Sequence, residues 1–169
     1  MLLAAWAVLM ALAQPWPSIW PLAHLALVPL ALLALRGQPL RRVAWLTYLV
    51  AAAWWLYIFN WIVHVTIPGY VVLCLYLALY PTAFVLILRP VHRRLGLPAV
   101  IDVPLIWVGL EYMRGIMLTG LPWTLIGHSQ PTVMIQTADF AGAYGVSFVV
   151  AMTAGLIVDL LTVPLTRAG

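Results

Sequence analysis

The sequence predicts an all-α integral membrane protein: one transmembrane domain over residues 1–169, built as a bundle of about six helices with a long outer loop between helices five and six. Three observations support this. Hydrophobic residues make up 66% of the chain and charged residues 7%, and the mean hydropathy is +1.09. A soluble domain of this length needs far more polar surface. The apolar residues also form segments that end at proline, glycine or charge, and arginines cluster at alternate ends of these segments.

The first apolar segment, 2–13, is shorter than the roughly 17–25 residues that cross a bilayer. Its last residues, Ala11-Leu12-Ala13, resemble a signal-peptide cleavage site, but no positive residue precedes the run as a secretory signal requires. We therefore treat the segment as a short first helix, which can complete a span only if the turn at 14–18 lies at the membrane surface; cleavage after it stays an open alternative.

Five further segments have the length of a spanning helix. Proline, glycine or charged residues close them, for example Arg36-Gly37-Gln38-Pro39 after the second segment and Arg89-Pro90 after the fourth. No soluble catalytic domain is expected within the chain. The five predicted spans lie near residues 19–35, 43–62, 70–88, 99–117 and 140–163.

The arginines predict the orientation of these spans. One group lies at 36–42, between spans two and three, a second lies at 89–94, between spans four and five, and Arg167 follows span six. With six spans these places share one side, which the positive-inside rule assigns to the cytoplasm. Both ends of the chain are then cytoplasmic, and the loop between spans five and six faces outward. Arg114 is the exception, since it lies near the outer side.

The composition argues against several classes of function. The net charge of +4 comes from arginines scattered at segment ends, so the chain lacks the basic stripe of a nucleic-acid-binding protein. His24, His64 and His128 come from separate segments without the spacing of metal ligands. Cys74 lies inside an apolar run, where a thiolate is disfavoured. We therefore expect no metal, no cofactor and no nucleic-acid partner.

Glu111 and Arg114 are the charged pair that attracts a functional interpretation. Three residues apart on a helix, they share a face and can pair. Ionisable residues in or near a span are costly to place there, so they mark candidate functional sites. Two interpretations stay open: a structural ion pair at the outer interface, or a pair that holds a substrate headgroup.

A hydrolase would need a nucleophile, a base and an acid, for which Ser129, His128 and Asp139 are the available residues. The chain has no nucleophile-elbow pattern, and adjacent His and Ser side chains are poorly placed as a base and nucleophile. Asp139 is better explained as a cap at the start of the sixth helix. A transporter would show repeated halves and broken helices. The two halves of this chain show no evident similarity, and Pro104 is the one good mid-helix break, so a transporter is the weaker alternative.

Four motifs follow one another in the second half of the chain: EYMRG at 111–115, TGLPW at 119–123, GHSQ at 127–130 and GAYGVSF at 142–148. Together they resemble the membrane part of the apolipoprotein N-acyltransferases, with patterns like E-x-x-R-G, T-G-[FL]-P-W, G-x-[ST]-Q and G-x-Y-G-V-S-F. The resemblance extends over most of the chain and is most specific from 111 to 148.

The resemblance implies an enzyme of the bacterial inner membrane that moves an acyl chain from a phospholipid to the α-amino group of a diacylglyceryl-cysteine on an apolipoprotein. The family does so through a thioester on its own cysteine, assisted by a glutamate and a lysine in a nitrilase-like domain. This sequence has no lysine, and Cys74 lies in a predicted span. We therefore expect no catalytic residue here and interpret the chain as a truncated N-terminal membrane portion, inactive without the nitrilase-like domain.

Within such an enzyme this portion would anchor the catalytic domain and form the wall of a lipid-accessible groove. The candidate residues at its outer mouth, where phospholipid and lipoprotein would enter, are Glu111, Arg114, Pro122, Trp123 and Gln130. The competing hypothesis is a stand-alone helical membrane protein: a scaffold, a lipid-binding subunit or a transporter fragment.

Overall fold

The computed structural model describes residues 1–14, 17–118, 120–136 and 138–166, with side chains up to Thr162 in the last helix. Within these ranges every regular element is helical and no strand occurs, so the predicted all-α class is confirmed for them. Three short 3₁₀ turns, at Trp20–Leu22, Asn60–His64 and Ile126–Ser129, accompany the α-helices. The α-helices are α1 Leu2–Ala13, α2 Ala23–Leu35, α3 Leu40–Ile58, α4 Ile67–Leu77, α5 Leu79–Leu95, α6 Ala99–Ile116, α7 Thr132–Ile135 and α8 Ala138–Thr166.

Two helical stretches of the described chain, Ile67–Leu95 and Ala138–Thr162, are long and apolar enough to cross a membrane by length and composition, and Leu2–Ala13 and Trp20–Leu35 are shorter apolar helices. Large apolar side chains also cover much of the outer surface of the bundle. A soluble monomer rarely exposes so continuous an apolar surface. Exposed examples include Val72, Leu105, Leu156, Leu160 and Leu161.

The fourth apolar segment differs from its prediction. Helices α4 and α5 meet at Ala78, whose backbone is itself right-handed helical, and the helix continues through Arg89 and Pro90 to Leu95. It ends at Gly96, which has φ 63°, the left-handed conformation that terminates many helices and that glycine adopts without steric cost. The Arg89-Pro90 pair therefore lies inside a helix and does not end it.

Helices α6 and α8 approach each other closely at the predicted cytoplasmic end. A Cβ on Gly155 of α8 would collide with the backbone of Ala99 and Val100, so only glycine permits this distance between the helices. One turn further along α8, the Asp159 carboxylate accepts hydrogen bonds from the N–H groups of Ala99 and Val100, at 2.8 and 2.9 Å. These N–H groups have no partner within α6, so Asp159 caps α6 from the neighbouring helix.

Charged side chains also join α2, α5 and α6 at this end. Arg89 donates hydrogen bonds to the carbonyl oxygens of Ala34, in the last turn of α2, and of Gln38, in the turn that follows α2. His92 Nδ1 lies 2.8 Å from the Asp102 carboxylate at the start of α6. These contacts fix one end of the bundle. The opposite end of α6 lies next to the segment that precedes α8.

The segment between α6 and α8 folds back onto the bundle. It contains the 3₁₀ turn Ile126–Ser129 and the single-turn helix α7, and the 3₁₀ turn packs against α8. Helix α8 itself is interrupted near its start, where Ala141 and Gly142 leave helical geometry and Gly142 has φ 62°. The sequence-predicted long outer loop thus contains two short helical turns in its described part.

Candidate functional site

The candidate site is centred on the last turns of α6, where Glu111 and Arg114 lie among apolar and aromatic side chains. Glu111 is 4% exposed and Arg114 is 5% exposed. Burying an ionised group costs several kcal/mol unless other groups compensate its charge and its hydrogen-bonding capacity. Their partners therefore decide what these residues do.

Glu111 bonds to the loop that follows α6. Its Oε1 accepts a hydrogen bond from the backbone N–H of Ile126 at 2.8 Å and another from the Trp107 indole N–H at 3.0 Å. Trp107 is four residues earlier, on the same face of α6, so it can orient the carboxylate. Ile126 begins the 3₁₀ turn, and Glu111 thus holds the start of that turn against the helix.

Arg114 bonds to the same loop slightly earlier in the chain. Its Nη2 donates a hydrogen bond to the carbonyl oxygen of Trp123 at 2.9 Å. Its guanidinium carbon also lies 5.2 Å from the centre of the Trp55 ring of α3, within the range of a cation–π interaction. Arg114 therefore connects the loop to α3 as well as to α6.

Glu111 and Arg114, which could have formed a direct ion pair, do not contact each other. Among the described residues the ion pair within contact distance is His92–Asp102, whereas Glu111 and Arg114 each bond to loop backbone. The physical reason is that the Ile126 N–H group and the Trp123 carbonyl oxygen lie within reach of these two side chains, and buried backbone groups are nearly always hydrogen-bonded. The two opposite charges remain one helical turn apart and still attract each other in this buried setting.

Ser129 and Gln130 secure the far end of the loop. Ser129 Oγ donates to the Ile126 carbonyl at 2.7 Å, and the Gln130 amide donates to Ser129 Oγ at 2.9 Å. The Gln130 carbonyl oxygen lies 3.2 Å from Nε2 of His24, at the start of α2. Both residues are buried, and their polar groups hold the loop in shape.

Gly127 brings the loop into close contact with α8. Its N–H donates to Ser147 Oγ at 3.0 Å, and a Cβ at this position would lie 2.7 Å from the Ser147 nitrogen and 2.8 Å from the Ala143 carbonyl oxygen. No side chain larger than hydrogen fits without movement of this backbone. Gly127 of the GHSQ motif and Ser147 of the GAYGVSF motif thus contact each other.

The exposed surface of the site is aromatic. Trp123 is 48% exposed and Trp61 is 49% exposed, with ring centres 5.8 Å apart and planes inclined at 33°. Phe59 lies beneath them, with its ring centre 6.2 Å from that of Trp123. Pro122 is exposed next to Trp123.

The five predicted mouth residues therefore occupy two layers. Pro122 and Trp123 are exposed, whereas Glu111 and Arg114 lie below them and hold their backbone. Gln130 is buried at the opposite end of the loop. Sequence reasoning missed three contributors: Trp107, Ser147 and the Ile126 amide. The spacing of four between Trp107 and Glu111 could have indicated the first.

A comparison with protein families bears on this site. A family model described as the apolipoprotein N-acyltransferase N-terminal domain matches residues 6–156, a range that includes α6, the whole loop and most of α8. The chain belongs to the apolipoprotein N-acyltransferase family. The resemblance carried by the four motifs is thereby confirmed.

Several curated relatives named apolipoprotein N-acyltransferase agree with this assignment. The protein from Geobacter metallireducens is 40% identical over 159 residues, which cover 86% of this chain and 30% of the relative. The protein from Rhodopirellula baltica is 32% identical over 94% of this chain, and that from Pasteurella multocida is 30% identical over 88%; the match again covers 30% of each relative. The chain thus spans about a third of the length of these relatives.

The described part of this N-acyltransferase domain does not assemble a nucleophile with a base. Cys74 is fully buried in α4, and Ser129 uses its hydroxyl group inside the loop. His128 is exposed, and its pKa lies below its ordinary value because of partial desolvation and, second, the positive charge of Arg114. No group of three His, Cys, Asp or Glu side chains that could hold a metal occurs among the described residues. What this arrangement provides is a loop held by hydrogen bonds to α6 and α8, with an aromatic outer surface.

Proposed function

We propose that this chain is the membrane portion of an apolipoprotein N-acyltransferase-like enzyme, which transfers an acyl chain from a phospholipid to the N-terminal diacylglyceryl-cysteine of bacterial lipoproteins. Family membership supports the reaction class. The chemistry would be done by a glutamate, a lysine and a cysteine of a nitrilase-like domain, because this chain has no lysine and its one cysteine is buried in α4. Alone, the chain would be inactive.

The proposed setting is the bacterial inner membrane, with about six spans, both ends of this chain in the cytoplasm and the loop at 119–130 facing the periplasm. The apolar surface of the bundle supports a multi-span arrangement. The exposed arginines support the orientation, because they lie at the end of the bundle opposite Trp123 and satisfy the positive-inside rule. These are Arg36, Arg41, Arg42, Arg93 and Arg94.

Within the enzyme, the loop would form the rim of the outer mouth through which phospholipid and apolipoprotein reach the catalytic domain. One observation carries this proposal: Glu111 and Arg114 hold the loop backbone from below at Ile126 and Trp123, while the Trp123 ring stays half-exposed beside Trp61. Tryptophan at a membrane interface presents an apolar body and a polar N–H group, which suits contact with a lipid headgroup region. In this proposal Glu111, Arg114 and Gln130 position the loop, and Pro122 and Trp123 meet the substrates.

A chimeric enzyme tests the proposal. This chain replaces the matching N-terminal part of the Geobacter metallireducens relative, and acyl transfer from phospholipid to an apolipoprotein is measured in membranes. We expect activity from the chimera and a loss of about tenfold or more with Trp123→Ala. Trp45→Ala is the matched control, because Trp45 is also an exposed tryptophan, located in α3 near the arginine end. If the chimera is expressed and helical but inactive, the chain is not the membrane portion of such an enzyme. If the chimera is active but Trp123→Ala and Trp45→Ala have equal activities, only the proposed role of the loop at the outer mouth is rejected.

The competing hypothesis is a stand-alone helical scaffold, lipid-binding subunit or transporter fragment. The genomic DNA that follows the codon for Gly169 distinguishes it from the enzyme module. A continuing or adjacent reading frame that encodes a nitrilase-like domain with Glu, Lys and Cys supports the enzyme module. Unrelated genes after a natural stop codon support the stand-alone protein.

A further inference from the structure

A small cavity lies below the loop, at the junction of α1, α3, α5 and α6. It measures about 20 Å³, which is room for roughly one water-sized group. Five aromatic residues and the two charged residues of α6 are part of its wall. The residues that matter for its chemistry are Trp6, Trp54, Trp55, Trp107, Glu111 and Arg114.

Five buried polar atoms of these wall residues have no hydrogen-bond partner among the described residues. Four are donors: the indole N–H groups of Trp6, Trp54 and Trp55 and the Nε–H of Arg114. The fifth is an acceptor, Oε2 of Glu111; the Ser147 hydroxyl also lies close to this carboxylate. Each of the five residues is at most 5% exposed. Native proteins leave few buried polar groups unpaired, so five on residues around one cavity indicate a ligand.

The wall residues also lie close to one another. The ring centres of Trp6 and Trp54 are 6.2 Å apart, and those of Trp54 and Trp55 are 4.7 Å apart in an edge-to-face arrangement. Arg114 lies over the Trp55 ring at 5.2 Å. Trp107 differs from the other three tryptophans, because its N–H group already donates a hydrogen bond to Oε1 of Glu111.

The balance of donors and acceptors defines the class of ligand. An apolar chain would leave all five atoms unpaired. A cation would meet four donors and one acceptor, and a phosphate group exceeds the volume. A hydroxyl group fits, because its oxygen accepts from two N–H donors and its hydrogen donates to the carboxylate.

We propose that this cavity is a binding site for one hydroxyl group, which accepts hydrogen bonds from the tryptophan N–H groups and donates one to Oε2 of Glu111. The group belongs either to a long-lived water molecule or to the headgroup of a phospholipid with a free glycerol hydroxyl. The inference does not depend on acyl transfer, since it rests only on the cavity and its wall.

Nuclear magnetic resonance of the indole protons tests the proposal and separates the two sources. The chain carries ¹⁵N-labelled tryptophan in nanodiscs of phosphatidylglycerol with deuterated acyl chains, and Trp6→Phe, Trp54→Phe and Trp55→Phe assign the three signals. We expect cross-relaxation from at least two of these N–H protons either to water, with the sign of a long-lived bound molecule, or to the glycerol protons of the headgroup. The first result identifies water and the second identifies lipid. Visible indole signals with neither cross-peak overturn the proposal.

Thermal unfolding gives a second test whose outcome depends on whether the N–H is bonded. Removing a bonded N–H destabilises a protein, whereas removing an unpaired buried N–H relieves a cost. Trp107→Phe is the matched control, because it removes a bonded indole N–H from an equally buried ring. With a bound hydroxyl, at least two of Trp6→Phe, Trp54→Phe and Trp55→Phe lower the unfolding midpoint about as much as Trp107→Phe. A clearly smaller decrease, or an increase, in two or all three of them overturns the proposal.

Discussion

The Oε1 atom of Glu111 accepts a hydrogen bond from the backbone N–H of Ile126 at 2.8 Å, across fifteen residues of sequence. A buried carboxylate on a helix thus satisfies a loop amide that has no partner in secondary structure. The Trp107 indole holds the same oxygen from within α6. Charge-assisted hydrogen bonds of this kind are stronger than neutral ones, so this contact fixes how the loop lies on the bundle.

Replacing Glu111 by alanine should destabilise the protein by about 2–6 kcal/mol, since two buried donors, at Ile126 and Trp107, lose their acceptor at about 1–3 kcal/mol each. Glu111→Gln is the control, because its amide oxygen can still accept both bonds, and we expect a clearly smaller loss. Unfolding by heat in detergent micelles, followed by the helical circular dichroism signal, measures both. An equal loss in the two variants would mean that the negative charge, and not the acceptor, matters.

Replacing Gly127 by alanine tests the contact between the loop and α8. The added Cβ meets the Ser147 nitrogen and the Ala143 carbonyl oxygen, and overpacking of this kind costs about 1–3 kcal/mol. Gly109→Ala is a matched control in α6, where nothing lies within 4 Å of an added Cβ and alanine favours the helix by roughly 0.5–1 kcal/mol. The two variants should therefore shift the unfolding midpoint in opposite directions, and equal shifts would contradict the packing described here.

Helices and their order follow from the sequence here, whereas the contacts of the loop do not. The apolar run at 2–13 coincides with α1 because a hydrophobic run free of proline and glycine has one stable backbone in an apolar environment. The possible ion pair of Glu111 with Arg114 rests on a spacing of three, a rule that describes neighbours on one helix. The loop backbone that displaced Arg114 as its partner carries no periodic signal, so Ile126 could not be identified from the sequence. The continuation of α5 past Pro90 was missed for a related reason: the terminating signal, Gly96, is six residues further on.

Asp159→Ala should uncouple the start of α6 from α8. The N–H groups of Ala99 and Val100 lose their shared acceptor, and loss of a helix cap costs about 0.5–2 kcal/mol. Asp159→Asn retains an acceptor oxygen and should lose less. Amide hydrogen exchange followed residue by residue is the sharpest measurement, because the expected change is faster exchange at 99–102 with little change at Ile126. Uniform acceleration along α6 would instead indicate general destabilisation.

The proposed orientation predicts opposite labelling of cysteines placed at the two ends of the bundle. Cys74 is buried, so Cys74→Ser gives a background without reactive thiols. Leu118→Cys introduces a thiol at a position that is 80% exposed beside the outer loop, and Gly37→Cys introduces one among the exposed arginine turns, where nothing lies within 4 Å of an added Cβ. In intact bacterial spheroplasts, a membrane-impermeant maleimide should label the first within minutes, and the second only after the membrane is opened, because a charged reagent does not cross the hydrocarbon core. Labelling of Gly37→Cys in intact spheroplasts, with Leu118→Cys protected, would invert the orientation that the arginines predict.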